Sequence, residues 1–508
     1  MPTQHFDPVA LAAQDPEGRL YNKDLKPAEP HERKWSTYSL FSLWMNDAHN
    51  AGNYTFAAGL FLIGLSPIQV TLGILGGALI IFAGCCMSGF MGHDTGAPYP
   101  VVSRMSWGIW GANFPALVRG AVAIAWYGIQ TFLASIALKV LLLHFIPGLQ
   151  GLAETRVLGL DVVGWIAFLI LWAIQMVIVA KGMEAVRHFQ GWAGPAIWLV
   201  MIALAVWMLS QANWNISWTQ GGGDATLSTG DQIYHTIAAV GLTVGVLATL
   251  MLNFSDFARF SPSRADVVKG NLWGLPFNWT AFALTSVVVS AASVSVYGEA
   301  VLDPAELLER VDNDIIMLLG SAVFVLATIG VNIVANFVSA AYDLSNVNPK
   351  RISFRKGGII TSILALVSMP WNLYNSPEVI AYFLGGLGAL LGPFFGILAL
   401  DYFWYRKGRF SIPDLYLPTP KSKYYYRNGV NPQAVMAFVP SAAIALILAL
   451  VPTFEKIAPF GWFIGAALGA TAYYIVTRGK PLVEGPVEEM VALPDQETAV
   501  RTDQQPVD

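Results

Sequence analysis

A run of polar side chains interrupts an apolar stretch near the start of the chain, in the segment SLWMNDAHNAGNYTF. Asn46, Asp47, His49 and Asn50 lie within five positions, and Gly52 follows them. Amides and carboxylates bind ions and hydrogen-bond to ligands, and a histidine titrates near neutral pH. Inside a bilayer such groups are costly unless they pair or face a cavity. The run therefore predicts a binding site, in which Asp47, His49 and Asn46 are the candidates for ion or proton coupling.

Two further pairs of residues share the spacing of one helix face. Trp126 and Gln130 are four residues apart in AWYGIQTF, and so are Asn332 and Asn336 in NIVANF. An indole offers a flat surface for stacking a ring, and a glutamine amide both donates and accepts hydrogen bonds at a ring edge. The first pair suits a planar heterocycle with C=O and N–H groups. Side chains of these types also pack between helices, so the sequence leaves ligand binding and helix bridging open for both pairs.

Other kinds of chemistry find little support in the sequence. The seven histidines are scattered without metal-ligand spacing, and the adjacent Cys85 and Cys86 lie in an apolar stretch that suits neither a disulfide framework nor a metal site. No paired carboxylates suggest an enzyme, and the G-x-x-x-x-G-K-[ST] pattern of ATP-binding loops does not occur. We therefore expect no metal, no cofactor and no nucleic-acid partner.

The elements that must position these residues are membrane-spanning helices. Of the 508 residues, 55% are hydrophobic and 12% are charged, about half the charged fraction of a soluble domain. A helix needs about 20 apolar residues to cross a bilayer. Twelve stretches qualify, numbered here as spans 1 to 12: 38–64, 68–92, 114–143, 159–180, 190–210, 232–254, 271–296, 314–341, 357–372, 378–402, 432–452 and 458–477.

The loop charges support this count and indicate an orientation. Lys and Arg recur in alternate loops, as in 350–356 and 406–427, whereas 211–231 has none and 297–313 is mostly acidic. Basic loops face the cytoplasm. We therefore expect a multi-pass protein of the cytoplasmic membrane with both termini in the cytoplasm. The polar tails, 1–36 and 480–508, are predicted to be disordered.

Spans 1 and 6 are predicted to be broken helices. Gly52 weakens span 1 beside its polar run, and Gly241 and Gly245 lie inside span 6. Glycines in membrane helices also serve close packing. However, spans 1 and 6 are five apart, and an inverted repeat of five plus five helices places its discontinuous helices in these positions.

The sequence resembles the nucleobase:cation symporter-1 family over roughly residues 32–430. The segments that carry the resemblance are SLWMNDAHN, GAPYPVVSRMSWGIWGANFPALVRG, AWYGIQTF, LMLNFSDFARF, NIVANFVSAAYD and LGPFFGILALDYFWYRKGRFSIPDLY. The resemblance implies an all-α, LeuT-like fold with two inverted five-helix repeats plus two extra helices. It implies substrate contacts by Asn50, His49, Trp126, Gln130 and Asn336, and at the break of span 6 by Gly245, Val246 and Leu247.

Two departures from the family pattern concern the ligand and the ion. Many members place a second Trp where this chain has Leu247, so one stacking face is lost or becomes aliphatic. Sodium-coupled members supply two hydroxyl oxygens from span 8, where this chain has Gly330 and Val331. Because hard cations prefer oxygen ligands, we expect coupling to protons rather than to sodium.

The sequence thus predicts a monomeric secondary transporter that imports a small planar heterocycle by alternating access. Uracil-like nucleobases, allantoin and hydantoins are the expected substrates, and purines, cytosine and vitamin-type rings are the alternatives within the family. A membrane channel is the alternative of another class. The transporter domain is expected over 37–479, with repeats at 37–210 and 231–402 and the last two helices at 431–477.

Overall fold

The apolar stretches fold into helices because a helix satisfies every backbone polar group within its own segment. The computed structural model describes residues 7–222, 227–302, 306–307, 310, 314–374 and 377–479. Within these residues, nine helices are long and apolar enough to cross a membrane singly. Span 1 is not among them because it is divided into two helices of 12 residues each, and span 9 is not because its helix, Phe354–Val367, has 14 residues. Span 6 contains a helix of 18 residues, Thr229–Val246, which begins with several polar residues and is less apolar than the nine.

Spans 1 to 5 form the first half of the membrane domain. Span 1 consists of two helices, Thr37–Ala48 and Ala51–Leu62, whereas spans 2 to 5 are continuous. Their bounds are Pro67–Thr95, Asn113–Phe145, Val162–Ala180 and Met183–Gln211. Two short helices, Tyr99–Val102 and Arg104–Trp107, link spans 2 and 3. Spans 3 and 4 are linked by the turn Gln150–Ala153 and a two-stranded antiparallel hairpin, Arg156–Val157 with Leu160–Asp161.

Spans 6 to 10 form the second half. Span 6 is interrupted at Leu247, between Thr229–Val246 and Ala248–Asn253, and is followed by Ser255–Ala258. Spans 7, 8 and 10 each contain a π-helical segment: Trp273–Trp279 within 264–297, Asn332–Val338 within 314–347, and Leu400–Tyr405 after Pro377–Ala399. Spans 11 and 12 are Pro432–Leu450 and Gly461–Thr477. Short helices lie at Pro8–Gln14, Pro370–Tyr374 and Ile412–Leu415, and 3-10 turns at Pro30–Glu32, Pro147–Leu149, Pro452–Phe454 and Ala458–Phe460.

Two predicted elements need correction. The stretch 357–372, predicted as the single helix of span 9, is divided in the structure. It contains most of the helix Phe354–Val367 and the beginning of the short helix Pro370–Tyr374. Met369 adopts a φ of 46° between them, and a proline disfavours helical backbone in the residue before it. The interruption of span 6 falls at Leu247 rather than at its glycines.

The N-terminal segment, residues 7–35, is ordered, so the prediction of a disordered tail is wrong there. Leu11, Leu20 and Leu25 are buried. Main-chain hydrogen bonds join this segment to the membrane domain, from Ala28 N to Gly96 O (2.7 Å) and from Trp35 N to Phe260 O (2.9 Å). The face of the membrane domain that it covers is called here the N-terminal face. The predicted C-terminal tail, 480–508, lies outside the described residues.

Candidate functional site

The amide side chain of Asn50 forms hydrogen bonds to both half-helices at the break in span 1. Its Oδ1 accepts a hydrogen bond from Asn53 N (3.0 Å), which caps the second half-helix, and its Nδ2 donates to Asp47 O (2.7 Å) at the end of the first. Asparagine is among the preferred N-cap residues because its short side chain reaches the free N–H groups of the first turn. Asn50 therefore joins two half-helices that do not continue into each other.

The carbonyl groups freed by this break are also bonded within the chain. Asn53 Nδ2 donates to Ala48 O (3.0 Å) and to Asp47 O (3.3 Å). Sequence reasoning gave Asn53 no role, although its position three residues after an N-cap asparagine is a recognisable signal. The two amides leave the carbonyls of Asp47 and Ala48 less available to a bound cation.

Gln130 of span 3 lies beside this break. A Cβ atom placed on Gly52 would lie 3.1 Å from Asn50 Oδ1 and 3.4 Å from Gln130 Nε2. The Oε1 atom of Gln130 is buried, with no hydrogen-bond partner among the described residues. Trp126 lies one turn away on the same helix and is half-buried. The structure thus brings together two of the predicted residues, Asn50 and Gln130, where spans 1 and 3 meet, and Trp126 lies one helical turn away on span 3.

The break of span 6 has an open side. Among the described residues, no atom of a neighbouring helix would lie within 4 Å of a Cβ atom added to Gly245. Val246 is half-buried, and Leu247 is buried and belongs to the main hydrophobic core. The helix that follows Leu247 packs against span 3. Gly245 is therefore the position of this break with free space beside it, whereas Gly241 is packed tightly, since a Cβ there would lie 2.3 Å from Pro459 O.

Asn336 reaches span 3 through a second asparagine. Its Nδ2 donates to Asn332 Oδ1 (2.9 Å). The Nδ2 of Asn332 in turn lies within hydrogen-bond distance of Thr131 Oγ1 (2.8 Å) of span 3 and Gln175 Oε1 (2.7 Å) of span 4. Asn332 therefore bridges helices, one of the two roles that the sequence left open for this pair. Asn336 is 5% exposed.

His49 and Asp47 have surroundings different from those of Asn50. The ring of His49 stacks on Phe282 of span 7 and meets Trp198 of span 5 edge-on, each with ring centroids 4.7 Å apart. Asp47 is fully buried, and neither carboxylate oxygen has a hydrogen-bond partner among the described residues. The thiol of Cys85 in span 2 lies within electrostatic range of this carboxylate. Neither the ring of His49 nor the carboxylate of Asp47 takes part in the hydrogen bonds that Asn50 makes at the break.

Asn46 lies between spans 1, 5 and 8. Its Nδ2 donates to Ser42 O (2.8 Å) and to Gln190 O (3.0 Å). Its Oδ1 points at Gly330, where an added Cβ would lie 2.6 Å from this oxygen. A side chain at position 330 would therefore collide with Asn46. Among the described residues, no three His, Cys, Asp or Glu side chains come together as a metal site.

Comparison with known proteins assigns the chain to a family. Residues 27–473 match the family described as "Permease for cytosine/purines, uracil, thiamine, allantoin". The chain belongs to this family. The family is the nucleobase:cation symporter-1 family that the sequence resembles. Its members are permeases, so the chain is a multi-pass membrane transporter and not an enzyme.

Three similar proteins illustrate this assignment. The chain is 37% identical to the allantoin permease of Bacillus subtilis, with 92% of this chain and 95% of that protein covered. It is 33% identical to a purine-uracil permease of Arabidopsis thaliana, with 86% and 72% covered. A solved nucleobase-cation-symport-1 transporter, closed with bromovinylhydantoin bound, superposes with a TM-score of 0.73 at 24% identity, with 92% of this chain and 98% of that chain covered. The predicted all-α fold, with two five-helix repeats and two extra helices, is confirmed.

Proposed function

We propose that this permease is a secondary active transporter that imports a planar heterocycle of the hydantoin, allantoin or uracil type, driven by protons. The observation that carries the proposal is the capped break of span 1, which lies beside the side-chain amide of Gln130, whose Oε1 has no hydrogen-bond partner among the described residues. We place the protein in the cytoplasmic membrane, with both termini and the N-terminal face in the cytoplasm. This orientation is supported by the basic loops.

Recognition of the substrate combines an amide edge with one flat face. Gln130 Oε1 accepts a hydrogen bond from a ring N–H, and the remaining hydrogen of Asn50 Nδ2 is directed to a ring C=O. Trp126 provides the stacking surface. Leu247 offers an aliphatic contact where many members have a second Trp, which favours a ring that is not fully aromatic. The similarity to an allantoin permease points to the same substrate class.

Alternating access follows from the two broken helices. Spans 1 and 6 lie in matching positions of the two repeats. The helix of span 1 is interrupted at His49–Asn50, and that of span 6 is interrupted at Leu247. In such folds the substrate binds near the bilayer midplane and one bundle rocks against the other around it. The open side of Gly245 is the space into which we place the far edge of the ring.

Coupling to protons is favoured by the surroundings of Gly330. Neither Gly330 nor Val331 offers a hydroxyl oxygen, and the amide of Asn46 fills the space beside Gly330. The nearby carbonyls of Asp47 and Ala48 already accept bonds from asparagine amides. A hard cation prefers a full shell of oxygen ligands. We therefore propose Asp47 as the first carrier of the coupling proton, with His49 and Asn46 as its neighbours.

Purified protein in proteoliposomes tests the ion and the transport mode. An inward proton gradient at fixed sodium should raise substrate accumulation several-fold, and a sodium gradient at fixed pH should not. Stimulation by sodium alone would overturn proton coupling. Counterflow of labelled substrate is expected of a carrier, and its absence together with non-saturating flux would indicate a channel.

A competition panel tests the substrate class. Allantoin, hydantoin and uracil should displace a labelled ligand at lower concentrations than adenine, cytosine or thiamine. In the variant Leu247→Trp, which restores a second aromatic face, preference should move towards fully aromatic rings. Unchanged affinity and selectivity in this variant would show that Leu247 does not contact the ring.

A further inference from the structure

A buried charged cluster joins spans 3, 6 and 8 near the N-terminal face. Arg119 of span 3 and Asp343 of span 8 lie 3.8 Å apart, Nη1 to Oδ2. Asp256, after span 6, completes the cluster through Asn253, whose Nδ2 donates to Asp256 Oδ2 (2.8 Å) and whose Oδ1 accepts from Arg119 Nη2 (3.1 Å). Each of these four side chains is at most 1% exposed.

The two carboxylates of this cluster differ in the hydrogen bonds that they accept. Asp256 accepts hydrogen bonds from Asn253 Nδ2 and from Tyr99 N (2.7 Å). Asp343 accepts none from the described residues on either oxygen. Burying a charged carboxylate without compensating hydrogen bonds costs several kcal/mol, because the charge loses its hydration. Hydrogen bonds to a carboxylate favour its charged form, so the uncompensated charge falls on Asp343.

We propose that Asp343 is a proton-binding site, which holds a proton while the N-terminal face is closed and releases it when that face opens to water. In the closed state Arg119 and Asp256 carry opposite charges that are linked through Asn253. Asp343, whose Oδ2 lies 3.8 Å from Arg119 without a hydrogen bond, is the neutral acid. On opening, solvation of the carboxyl favours dissociation of the proton, which leaves to the side that the opening exposes. The proposal rests on the proposed proton-driven import, and it adds a release site to it.

The groups that face Asp343 are few. Span 3 contributes Arg119 and approaches closely at Gly120, where an added Cβ would lie 3.3 Å from Asp343 Cβ. The link after span 2 contributes Tyr99, and the end of span 6 contributes Asp256. Span 9 approaches the same helix at Gly357, which has no titratable side chain.

One more positively charged side chain, Arg259, lies at the edge of the cluster. Arg259 is within electrostatic range of Asp256. Its Nη2 donates to Asp24 O (3.0 Å), and its Nη1 donates to Lys26 O (3.3 Å). Arg259 thus faces Asp256 and the N-terminal segment, and its Nη2 also lies 3.3 Å from Tyr342 OH.

The position of the cluster explains why its proton would follow the transport cycle. Asn253 Nδ2 also donates to Ser339 Oγ (2.5 Å) of span 8, and Arg119 Nη2 donates to Ala335 O (2.8 Å). The same side chains therefore tie span 6 and span 8 to span 3. Separation of these spans at the N-terminal face must break the cluster, and water then reaches Asp343.

Infrared spectroscopy of the purified permease tests the site directly. The wild type should show the C=O stretch of protonated carboxyl groups at neutral pH, and Asp343→Asn should remove one such band. Asp401→Asn is the matched control, because Asp401 is equally buried but accepts bonds from Ser106, Arg406 and Tyr473. This control should remove none. A spectrum unchanged by Asp343→Asn would overturn the proposal.

Two further measurements keep the test decisive. Should Asp343→Asn not fold, the variant Asp47→Asn must still show one protonated carboxyl, and its complete loss would count against Asp343. In proteoliposomes the ratio of uptake with and without a proton gradient should fall to about one in Asp343→Asn, whatever its absolute rate. If sodium rather than protons drives the wild type while the Asp343 band is present, the proposed coupling fails and the proton site stands.

Discussion

Gly245 and Gly241 lie one turn apart in span 6 and have opposite surroundings. No neighbouring helix comes within contact distance of a Cβ at Gly245 in the part of the chain that the structure describes, whereas Gly241 packs against the backbone of Pro459. We expect Gly245→Val to fold with a melting temperature near that of the wild type and to bind substrate at least about tenfold more weakly, which corresponds to about 1.4 kcal/mol. Thermal melts and ligand titration of the purified variant measure both quantities.

The matched control for this prediction is Gly241→Ala. Its Cβ would lie 2.3 Å from a carbonyl oxygen, so it should lower the melting temperature without acting through the site. Wild-type affinity in Gly245→Val would contradict the placement of the ring beside this glycine.

Gln130 and Gln175 provide a second comparison of like residues. Gln130 has a buried carbonyl without a partner among the described residues, whereas Gln175 bonds to Thr131 and Asn332. A hydrogen bond is worth about 1 kcal/mol, so Gln130→Ala should weaken substrate binding by roughly five- to tenfold at little change in stability. Gln175→Ala should mainly lower the melting temperature, because it removes the hydrogen bonds that join span 4 to Asn332 and Thr131. Equal effects on binding would argue against Gln130 as the substrate contact.

The part of the candidate site that can be predicted from the sequence is the part that depends only on helical spacing. Trp126 and Gln130 lie on one unbroken helix, so their common face was assured. His49 and Asn50 occupy the break itself, where helical spacing no longer determines direction. As a result, neighbours in the sequence lie on different sides of span 1, with His49 between Phe282 and Trp198 and Asn50 next to Gln130.

At the scale of the helix, the break in span 1 depends on one side chain that serves both halves. Asn50→Ala removes the bond to Asn53 N and the bond to Asp47 O. An N-cap of this kind is worth about 1 kcal/mol, so we expect a lower melting temperature together with reduced transport. Asn50→Asp keeps the N-cap acceptor and loses the donor, and its stability should lie between those of Asn50→Ala and the wild type. A melting temperature for Asn50→Ala equal to that of the wild type would contradict the capping role.

The interruption of span 6 was predictable, but its position was not. Glycines lower helix stability wherever they occur, so Gly241 and Gly245 were equal candidates from the sequence. In the structure the break lies at Leu247, two residues after Gly245, whereas Gly241 lies within the preceding helix and packs against Pro459. The π-helical segments of spans 8 and 10 likewise have no local signal in the chain, whereas that of span 7 contains Pro276, which removes a helical hydrogen bond.

At the scale of the whole molecule, the N-terminal segment connects distant parts of the chain. Tyr416 OH donates to Leu25 O (2.6 Å), Phe354 N donates to Asp24 Oδ2 (2.9 Å), and Arg104 Nη2 donates to Leu20 O (2.9 Å). Tyr416→Phe should therefore destabilise the closed N-terminal face by about 1 kcal/mol. We expect proteolysis of residues 7–35 to become several-fold faster in this variant.

The control for that measurement is Tyr405→Phe, because Tyr405 bonds to Tyr474 O and Thr477 and not to the N-terminal segment. Equal proteolysis in both variants and the wild type would contradict a role for Tyr416 in docking this segment.

The membrane fold was predictable because the composition and the loop charges indicate membrane-spanning helices. That residues 7–35 form an ordered segment was not predictable. The segment is polar, and it docks largely through main-chain groups that accept bonds from Arg104, Arg259 and Tyr416. Contacts made by main-chain groups do not depend on the side chains of the segment, so its sequence shows no pattern that would predict docking. The few buried apolar residues, such as Leu20 and Leu25, are too sparse to suggest a core.

The docking of this segment also has a consequence for biosynthesis. A chain is made from its amino terminus, so residues 7–35 leave the ribosome long before Phe354 and Tyr416, to which they bond. They must wait, undocked, until nearly the whole membrane domain has been inserted. The last contacts of the newly made permease are therefore formed by its first residues, and an N-terminal segment resistant to protease marks a chain whose assembly is complete.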